Sequence, residues 1–464
     1  MNTIANHLPT AELQALDAAH HLHPFTHGNE LSQKGVRVIT KAQGITLTDS
    51  DGKQMLDGMA GLWCVNLGYG REELVQAAAA QMRQLPFYNT FFQTSHVPAI
   101  ALAARLAELA PDDLNHVFFA GSGSEANDGN IRLVRHYWSE QGKPDKKVII
   151  ARKNGYHGST MGGASLGGMS GMHAQGGLPI PDIIHIGQPH WYDEGGDMSP
   201  DEFGLLRARE LAAKIAEVGE DRVAAFIAEP IQGAGGVIIP PDSYWPEIQR
   251  ICDAHEILLI ADEVITGFGR TGHWFASPAL GIRPDIITIA KGVTSGYLPL
   301  GGSIVSDGVA EVINNSEFNH GYTYSGHPVA AAVALENLRI IEEEGIIARV
   351  QNETGPYLAE KWGALADHPL VGEARSVGLM GGLAMTPDKA SRAKFASEAG
   401  TVGLRCREHC FAGGLVMRHV GDRMIISPPL VITKTEIDTL CERAWKALDE
   451  TLASITQDGL MAAA

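Results

Sequence analysis

Short aliphatic runs separated by longer stretches are the feature of this sequence that most restricts its fold. The runs are rich in Val, Ile and Ala and carry few polar residues, which is typical of strands buried on both faces of a sheet. They are HVFFA (116–120), KVIIA (147–151), RVAAFIA (222–228), ILLIA (257–261), DIITIA (285–290) and GSIV (302–305). Helical stretches or Gly-rich turns lie between them. The pattern therefore predicts parallel strands joined by crossover helices, and an α/β fold.

The regular alternation of aliphatic runs and helical stretches ends at about residue 334. We expect a large domain with a mostly parallel sheet over 72–333, and a smaller α+β domain formed by 1–71 and 334–464. In the second part, LVMRHVGDRMIISPPLVIT predicts a hairpin that turns at Gly421-Asp422.

The acidic excess of the chain excludes two classes of partner. There are 36 Lys and Arg against 54 Asp and Glu, for a formal net charge of −18, and no basic run. Nucleic acids and anionic membranes are bound by clustered basic residues, so neither is expected as a partner.

Three features of the sequence predict a cytoplasmic protein: its apolar runs, its first residues and its cysteines. No uninterrupted apolar run reaches about 18 residues, and the first residues do not resemble a secretory signal. The five cysteines are odd in number and predict free thiols in a reducing compartment. His20, His21 and His23 form a local cluster, but with no matching Cys or acidic ligand set nearby we assign no metal.

Charged residues follow three of the aliphatic runs directly. Glu229 follows RVAAFIA, Asp262 follows ILLIA, and Lys291 follows DIITIA. Because ligands of open α/β sheets bind beyond the carboxyl ends of the strands, these three side chains are candidates for one site.

Lys291 and Asp262 together suit pyridoxal phosphate. Burial lowers the pKa of a lysine amine, which a Schiff-base lysine requires, and this makes Lys291 the candidate nucleophile. An acid at the end of the neighbouring strand, Asp262, fits the partner that the pyridinium nitrogen needs. The alternative is a purely structural ion pair between the two residues.

GSGSEAND (121–128) follows one strand and opens a helix, so it offers backbone N–H groups to a phosphate. Ser122, Gly123 and Ser124 are the candidate ligands. The segment also matches G-x-G-x-x-A, the weak form of a nicotinamide-enzyme fingerprint. A nicotinamide enzyme would also need an acidic residue at the end of the next strand. That strand leads instead into Ala151-Arg152-Lys153. A simple turn remains a third interpretation.

An ordered set of motifs across nearly the whole chain resembles class III aminotransferases of fold type I. The motifs are WCVNLGYG (63–70), GSGSEAN (121–127), NGYHGST (154–160), AEPIQGAGG (228–236), LIADEVITGFGRTG (259–272), IAKGVTSGYLPLGG (289–302), GYTYSGHP (321–328) and MRHVGDRMIISPP (417–429). They most resemble the branch of amine and ω-amino acid:pyruvate transaminases, also called ω-transaminases. The Gly-rich stretch 161–177 is then expected to be a flexible loop on the active-site side.

The resemblance implies roles for further cofactor-binding residues. Tyr156 stacks on the pyridine ring, Val264 packs on its opposite face, and Glu229 belongs to the acidic neighbourhood of cofactor and substrate arginine. Thr323 donates to the phosphate from a partner subunit, which implies a homodimer with shared active sites, or a tetramer built from such dimers. For Glu229, a structural acid at the strand end is the alternative.

The resemblance also implies a substrate pocket and a reaction. Phe25, Trp63 and Phe91 are its aromatic residues, with Phe91 reaching in from the partner, and Tyr156 lines it too. Arg418 is the mobile arginine that pairs with a substrate carboxylate. The expected reaction moves an amino group from a primary amine, a diamine such as putrescine, or an ω-amino acid to pyruvate or a similar keto acid, by a ping-pong mechanism. A decarboxylase or aminomutase on the same fold, and a scaffold protein without catalysis, are the alternatives.

Overall fold

The computed structural model describes residues 8–462; residues 1–7 and 463–464, which the sequence analysis assigned to the small domain, lie outside that range. The strands are β1 (Ile39–Gln43), β2 (Thr46–Asp49), β3 (Gln54–Asp57), β4 (Leu114–Ala120), β5 (Val148–Arg152), β6 (Ile183–Ile186), β7 (Val223–Ala228), β8 (Leu258–Asp262), β9 (Ile286–Ile289), β10 (Gly301–Ser306), β11 (Val371–Val377), β12 (Met380–Met385), β13 (Leu415–Val416), β14 (Arg418–Val420) and β15 (Arg423–Ile426).

The α-helices are α1 (Thr10–His20), α2 (Gly28–Lys34), α3 (Ala60–Trp63), α4 (Glu72–Gln84), α5 (Val97–Leu109), α6 (Gly123–Glu140), α7 (Met161–Leu166), α8 (Ser170–His173), α9 (Trp191–Glu194), α10 (Pro200–Val218), α11 (Tyr244–Ala254), α12 (Asp307–Ile313), α13 (Pro328–Glu343), α14 (Ile346–Arg349), α15 (Gly355–Gly363), α16 (Thr401–Ala412) and α17 (Lys434–Gln457). No helix among residues 8–462 combines the length and apolar character needed to cross a bilayer.

A seven-stranded sheet with the order β4-β10-β9-β8-β7-β5-β6 forms the centre of the molecule. All six predicted runs are strands of this sheet, and β9, β8, β7, β5 and β6 are parallel. The prediction of a parallel strand was wrong for GSIV, because β10 is antiparallel to both β4 and β9. Strand β6 was not predicted. The α/β prediction with a mostly parallel sheet is confirmed.

Helices cover both faces of this sheet, as the continuous apolar runs require. On β7, Phe226 and Ala228 pack into a cluster with α10 and α11, whereas Ala225 and Ile227 pack into a cluster with α6. Successive side chains of a strand point to opposite faces. The sheet is therefore buried on both sides and exposes its edges and strand ends as the places where a ligand can bind.

Two smaller sheets come from the ends of the chain. One has the order β1-β2-β3-β13, in which β13 pairs parallel with β3 and so joins the N-terminal segment to the C-terminal part. The other has the order β11-β12-β15-β14, and its β14 and β15 form the predicted hairpin around Gly421, whose φ is 55°. The domain boundaries themselves stay a prediction.

Residues 161–177 do not form the flexible loop that their glycines predicted. The segment contains α7 and α8, and residues 162–166 are buried. Thr160 caps α7 by accepting a hydrogen bond from the N–H of Gly163, and a Cβ at Gly162 would overlap the carboxylate of Asp128 on α6. The glycines of α7 therefore serve close helix packing, whereas Gly171, Gly176 and Gly177 have no neighbour that would exclude a side chain.

Candidate active site

A cavity of about 400 Å³ lies at the carboxyl edge of the seven-stranded sheet. Of the predicted cofactor-binding residues, all except Thr323 line it, namely Ser122, Gly123, Ser124, Tyr156, Glu229, Asp262, Val264 and Lys291. They converge because β7, β8 and β9 are adjacent and parallel, so the residues at their carboxyl ends meet at one edge.

Lys291 begins a short 3-10 turn, Lys291–Thr294, directly beyond β9. Its φ of 48° lies in the left-handed region, which is strained for a residue with a side chain and is characteristic of functional sites. Burial lowers the pKa of its amine, while the negative charges of Asp262 and Glu229 act in the opposite direction. The lowered pKa favours the neutral amine, the form that acts as a nucleophile or base.

Asp262 ends β8 and is only 3% exposed. Its Oδ2 atom accepts from Nδ2 of Asn127 at 2.9 Å and lies 2.7 Å from Nδ1 of His157. Its Oδ1 atom accepts from the N–H of Val264 at 3.2 Å. These three contacts replace the hydrogen bonds to water that the carboxylate loses on burial.

The first turn of α6 forms an anion cradle on the cavity wall. Ser122 caps this 18-residue helix by accepting from the N–H of Glu125, which leaves the N–H groups of Gly123 and Ser124 for a ligand. Ser124 Oγ accepts from the N–H of Ser159 at 3.1 Å. At Gly158, with φ of 129°, a Cβ would lie 2.6 Å from Ser124 Oγ, so the approach of the two segments requires glycine.

Glu229 lines the cavity with a carboxyl group that is only 3% exposed. It accepts from the backbone N–H groups of Tyr156 at 3.0 Å and Gly233 at 2.8 Å. Burial raises its pKa, and nearby His157 acts in the opposite direction. Its contacts thus tie the segment that carries Tyr156 to the end of β7.

Two of the predicted substrate residues, Trp63 and Arg418, do not line the cavity in this chain. Trp63 is 2% exposed in a cluster with Met59 and Ile265, and its Nε1 has no acceptor within residues 8–462. Arg418 begins β14, and burial lowers its pKa. Within the described part of the chain its guanidinium makes no hydrogen bond or ion pair, so it is free to pair with a ligand carboxylate.

Phe25, Phe91 and Thr323 also lie away from the cavity of the single chain. Phe25 is 75% exposed, and Thr323 is exposed in the loop after residue 320. Phe91 lies beside Phe92 in a separate groove, with ring centroids 5.7 Å apart and ring planes tilted by 52°. The sequence prediction that Phe91 and Thr323 act on a partner subunit therefore stays a prediction.

Sequence reasoning assigned no role to two residues of the cavity wall that contact Asp262. These are Asn127 and His157. Both lie inside the motifs GSGSEAN and NGYHGST, so their position in those motifs was the available signal. The wall also includes Thr294, Gly296 and 298–300, which follow Lys291 in the sequence.

The N-terminal histidine cluster has an acidic partner that the sequence analysis overlooked. Asp17, one helical turn before His21, contacts Nδ1 of His21 at 3.2 Å and Nε2 of His23 at 2.8 Å. The hydrogen bond with His23 is the main cause that lowers the pKa of Asp17. His20 is not part of this group, which lies at the end of α1.

Comparisons with known proteins agree on one family. The model of the family described as aminotransferase class-III matches residues 29–448. The chain is 61% identical over 456 residues to the putrescine–pyruvate aminotransferase of Pseudomonas aeruginosa, covering 98% of this chain and 100% of that protein. It is 42% identical to the diaminobutyrate–2-oxoglutarate transaminase of Halomonas elongata, with 96% of both chains covered.

Solved structures that match this chain are also transaminases. The (S)-enantioselective ω-transaminase of Thermomicrobium roseum matches with a TM-score of 0.93 and 44% identity, covering 96% of this chain and 99% of that one. The ω-transaminase of Pseudomonas jessenii in complex with PMP matches with a TM-score of 0.94 and 41% identity, again covering 96% and 99%.

Proposed function

Because the chain belongs to the class III aminotransferases, we propose that it transfers the amino group of a primary amine or diamine, such as putrescine, to pyruvate or a similar keto acid. ω-Amino acids are included among the donors. The observation that carries the proposal is the convergence of Lys291, Asp262 and the α6 anion cradle on one cavity. The 61% identity to a putrescine–pyruvate aminotransferase supports the choice of substrates.

The cavity residues fit pyridoxal 5′-phosphate as the cofactor. Ser122, Gly123 and Ser124 offer hydroxyl and N–H groups at a helix start, where a phosphate dianion is stabilised. Tyr156 and Val264 would hold the two faces of the ring, and Asp262 would bind the ring nitrogen. When bound, this group withdraws electrons from the carbon that carries the transferred amine.

Lys291 is the residue that holds the cofactor and moves the proton. Burial lowers the pKa of its amine, which favours the neutral form that attacks a carbonyl carbon. The same Nζ atom would take the proton from the amine-bearing carbon of the donor and pass it to the cofactor carbon that bears the amino group, and it would make the reverse transfer in the half-reaction with the keto acid. Asp262 provides the negative charge that keeps a pyridinium nitrogen protonated.

Arg418 is the proposed binding site for the carboxylate of the keto acid. Its guanidinium has no partner among residues 8–462 and is available for a bidentate pair with a carboxylate. A diamine has no carboxylate and does not need this contact. Trp63, Phe25 and Phe91 are proposed to form the aromatic part of the substrate pocket, with Phe91 from a partner subunit.

We propose a homodimer with shared active sites, which can pair further into a tetramer. Large apolar side chains are exposed on the face that carries the Thr323 loop: Phe87, Tyr88, Phe92 and Tyr324. Phe87 packs against Tyr324, with ring centroids 5.7 Å apart, so they form one patch. Exposed apolar patches of this kind mark protein interfaces, and a second copy on this patch would lie beside the Thr323 loop.

Two further assignments belong to this proposal. All strands of the seven-stranded sheet lie within 72–333, which supports that segment as the cofactor-binding domain, with 1–71 and 334–464 as the small domain. The five free cysteines support a reducing, cytoplasmic compartment.

The test is amino transfer by the purified holoenzyme. Putrescine and pyruvate should give alanine, and Lys291→Ala should abolish its formation while Lys446→Ala, an exposed lysine on α17, leaves it unchanged. With an ω-amino acid as the donor, alanine formation without carbon dioxide release excludes a decarboxylase. Release of carbon dioxide, or an isomerised substrate without alanine, would replace the proposal with the decarboxylase or aminomutase alternative.

A further inference from the structure

Four neutral polar side chains continue inward from Asp262 in a single buried row. They are Asn127 and Asn130 on α6, Thr288 on β9 and Ser303 on β10. Each is at most 1% exposed, so none can exchange its hydrogen bonds with solvent. Polar groups this deep in a core are costly unless every one is satisfied, and a complete row needs a reason for its presence.

The hydrogen bonds of the row all run in one direction, toward Asp262. Ser303 Oγ donates to Asn130 Oδ1 at 2.6 Å, and Asn130 Nδ2 donates to Thr288 Oγ1 at 2.9 Å. Thr288 Oγ1 donates to Asn127 Oδ1 at 2.9 Å, and Asn127 Nδ2 donates to Asp262 Oδ2 at 2.9 Å. Because the Thr288 hydroxyl has one proton, accepting from Asn130 commits that proton to Asn127.

This direction determines which way the amide of Asn127 faces. Its Nδ2 group donates both to Asp262 and to the backbone carbonyl of His157, at 2.9 Å each. In the opposite orientation, the Asn127 oxygen would face those two acceptors, and its Nδ2 group would face Asn130 Nδ2, which is also a donor. Three buried contacts would then be repulsive, with no water to compensate.

We propose that Thr288 and Asn130 are positioning residues for the transamination, because they lock the Asn127 amide with its Nδ2 group on the Asp262 carboxylate. With its Nδ2 group fixed in this way, Asn127 holds the Asp262 side chain in one rotamer. The Asp262 carboxylate then stays a hydrogen-bond acceptor, with a lone pair available to a protonated ring nitrogen. This inference rests on the proposed function, since it assigns the row to the support of a pyridoxal phosphate site. Neither Thr288 nor Asn130 lines the cavity, so both act through Asn127.

A pair of substitutions at Thr288 separates positioning from packing. Thr288→Val keeps the shape of the side chain and removes the hydroxyl, whereas Thr288→Ser keeps the hydroxyl and removes a methyl group. The readouts are the dissociation constant of pyridoxal phosphate from the apoprotein, followed by visible absorbance, and the pH midpoint of that absorbance in the holoenzyme. Circular dichroism and the Tm of each apoprotein report folding.

We expect Thr288→Val to weaken cofactor binding about fivefold, the value of one hydrogen bond between neutral groups, and to move the pH midpoint. Thr288→Ser should match the wild type in both readouts, although it loses a core methyl group and some Tm. A folded Thr288→Val protein with wild-type affinity and pH midpoint would overturn the inference. So would equal losses in both variants, because packing alone explains that result.

If Thr288→Val does not fold, Ser303→Ala replaces it, because it removes only the first donor of the row. We then expect a smaller loss of affinity, about threefold, and an unchanged affinity would overturn the inference. Failure of the proposed function looks different, because a wild-type apoprotein that gains no visible absorbance with pyridoxal phosphate would contradict it without any variant.

Discussion

Nδ1 of His157 lies 2.7 Å from Oδ2 of Asp262, and both side chains are almost fully buried. Asp262 ends β8, while His157 follows β5, and β7 lies between those two strands. The contact therefore spans the carboxyl edge of the sheet. It places a second donor on the acid that is proposed to bind the cofactor ring, beside the amide of Asn127.

Removing the His157 side chain should weaken the binding of pyridoxal phosphate, because His157 supports Asp262. His157→Ala deletes a hydrogen bond to a charged group, so we expect the dissociation constant of pyridoxal phosphate to rise about tenfold. The check is a double-mutant cycle with Asp262→Asn, in which the effect of His157→Ala should shrink. Additive losses would show that His157 does not act through Asp262.

Arg418 should matter for keto acids and not for diamines. In Arg418→Leu, we expect the KM for pyruvate to rise at least tenfold, because the charge-assisted pair with the carboxylate is lost. The half-reaction with putrescine, followed by the absorbance of the holoenzyme, should stay near the wild-type rate. Arg209→Leu, an exposed arginine on α10, is the matched control. An equal loss for pyruvate and putrescine would count against a carboxylate site.

Mixed subunits should reveal whether active sites are shared. Thr323→Glu places a negative charge where a phosphate is proposed to bind, and Lys291→Ala removes the nucleophile, so each variant alone should be inactive. In a hybrid dimer, one site combines the intact Lys291 of one chain with the intact Thr323 of the other. After random exchange of subunits, about a quarter of the wild-type activity should return. Hybrids that remain inactive would place Thr323 and Lys291 of the same chain in one site.

His190 should make stability depend on pH below neutrality. Burial lowers its pKa to about 4; Arg375 and Arg423 add to the decrease, and Glu373 opposes it. Nδ1 of His190 also lies 3.3 Å from Asp193. The unfolded chain, in which the pKa of a histidine is about 6.5, binds the proton first. Stability is therefore complete above pH 6.5 and is lost as the pH falls toward 4.

The measurement is the free energy of unfolding by urea at several pH values. Between pH 6.5 and pH 5 this one group should remove about 2 kcal/mol. His190→Gln should flatten the wild-type slope in that window, whereas His116→Gln, at an exposed position, should not. A slope that His190→Gln leaves unchanged would assign the pH dependence to other groups.

Local patterns were sufficient for much of this protein. Continuous apolar runs gave the strands of the seven-stranded sheet except β6, and the residues after three runs gave Glu229, Asp262 and Lys291, which line one cavity. These inferences succeed because a run of about five to seven apolar residues is enough to show that a strand is buried and which residue follows its carboxyl end. The same local reasoning was wrong for 161–166, where glycines that suggested a loop instead permit α7 to pack on α6.

The sequence by itself determined the fold class, the order of the strand-end residues and the identity of the lysine and acid proposed for catalysis. Only the tertiary structure decided that β10 runs antiparallel, that His157 and Asn127 share one carboxylate oxygen, and that the Thr288 hydroxyl donates to the Asn127 amide oxygen. Asn127, Thr288 and Asp262 are far apart in the chain, and a hydrogen bond depends on distances of about 3 Å and on donor direction. No local pattern specifies such distances, because they arise when separate strands and helices pack.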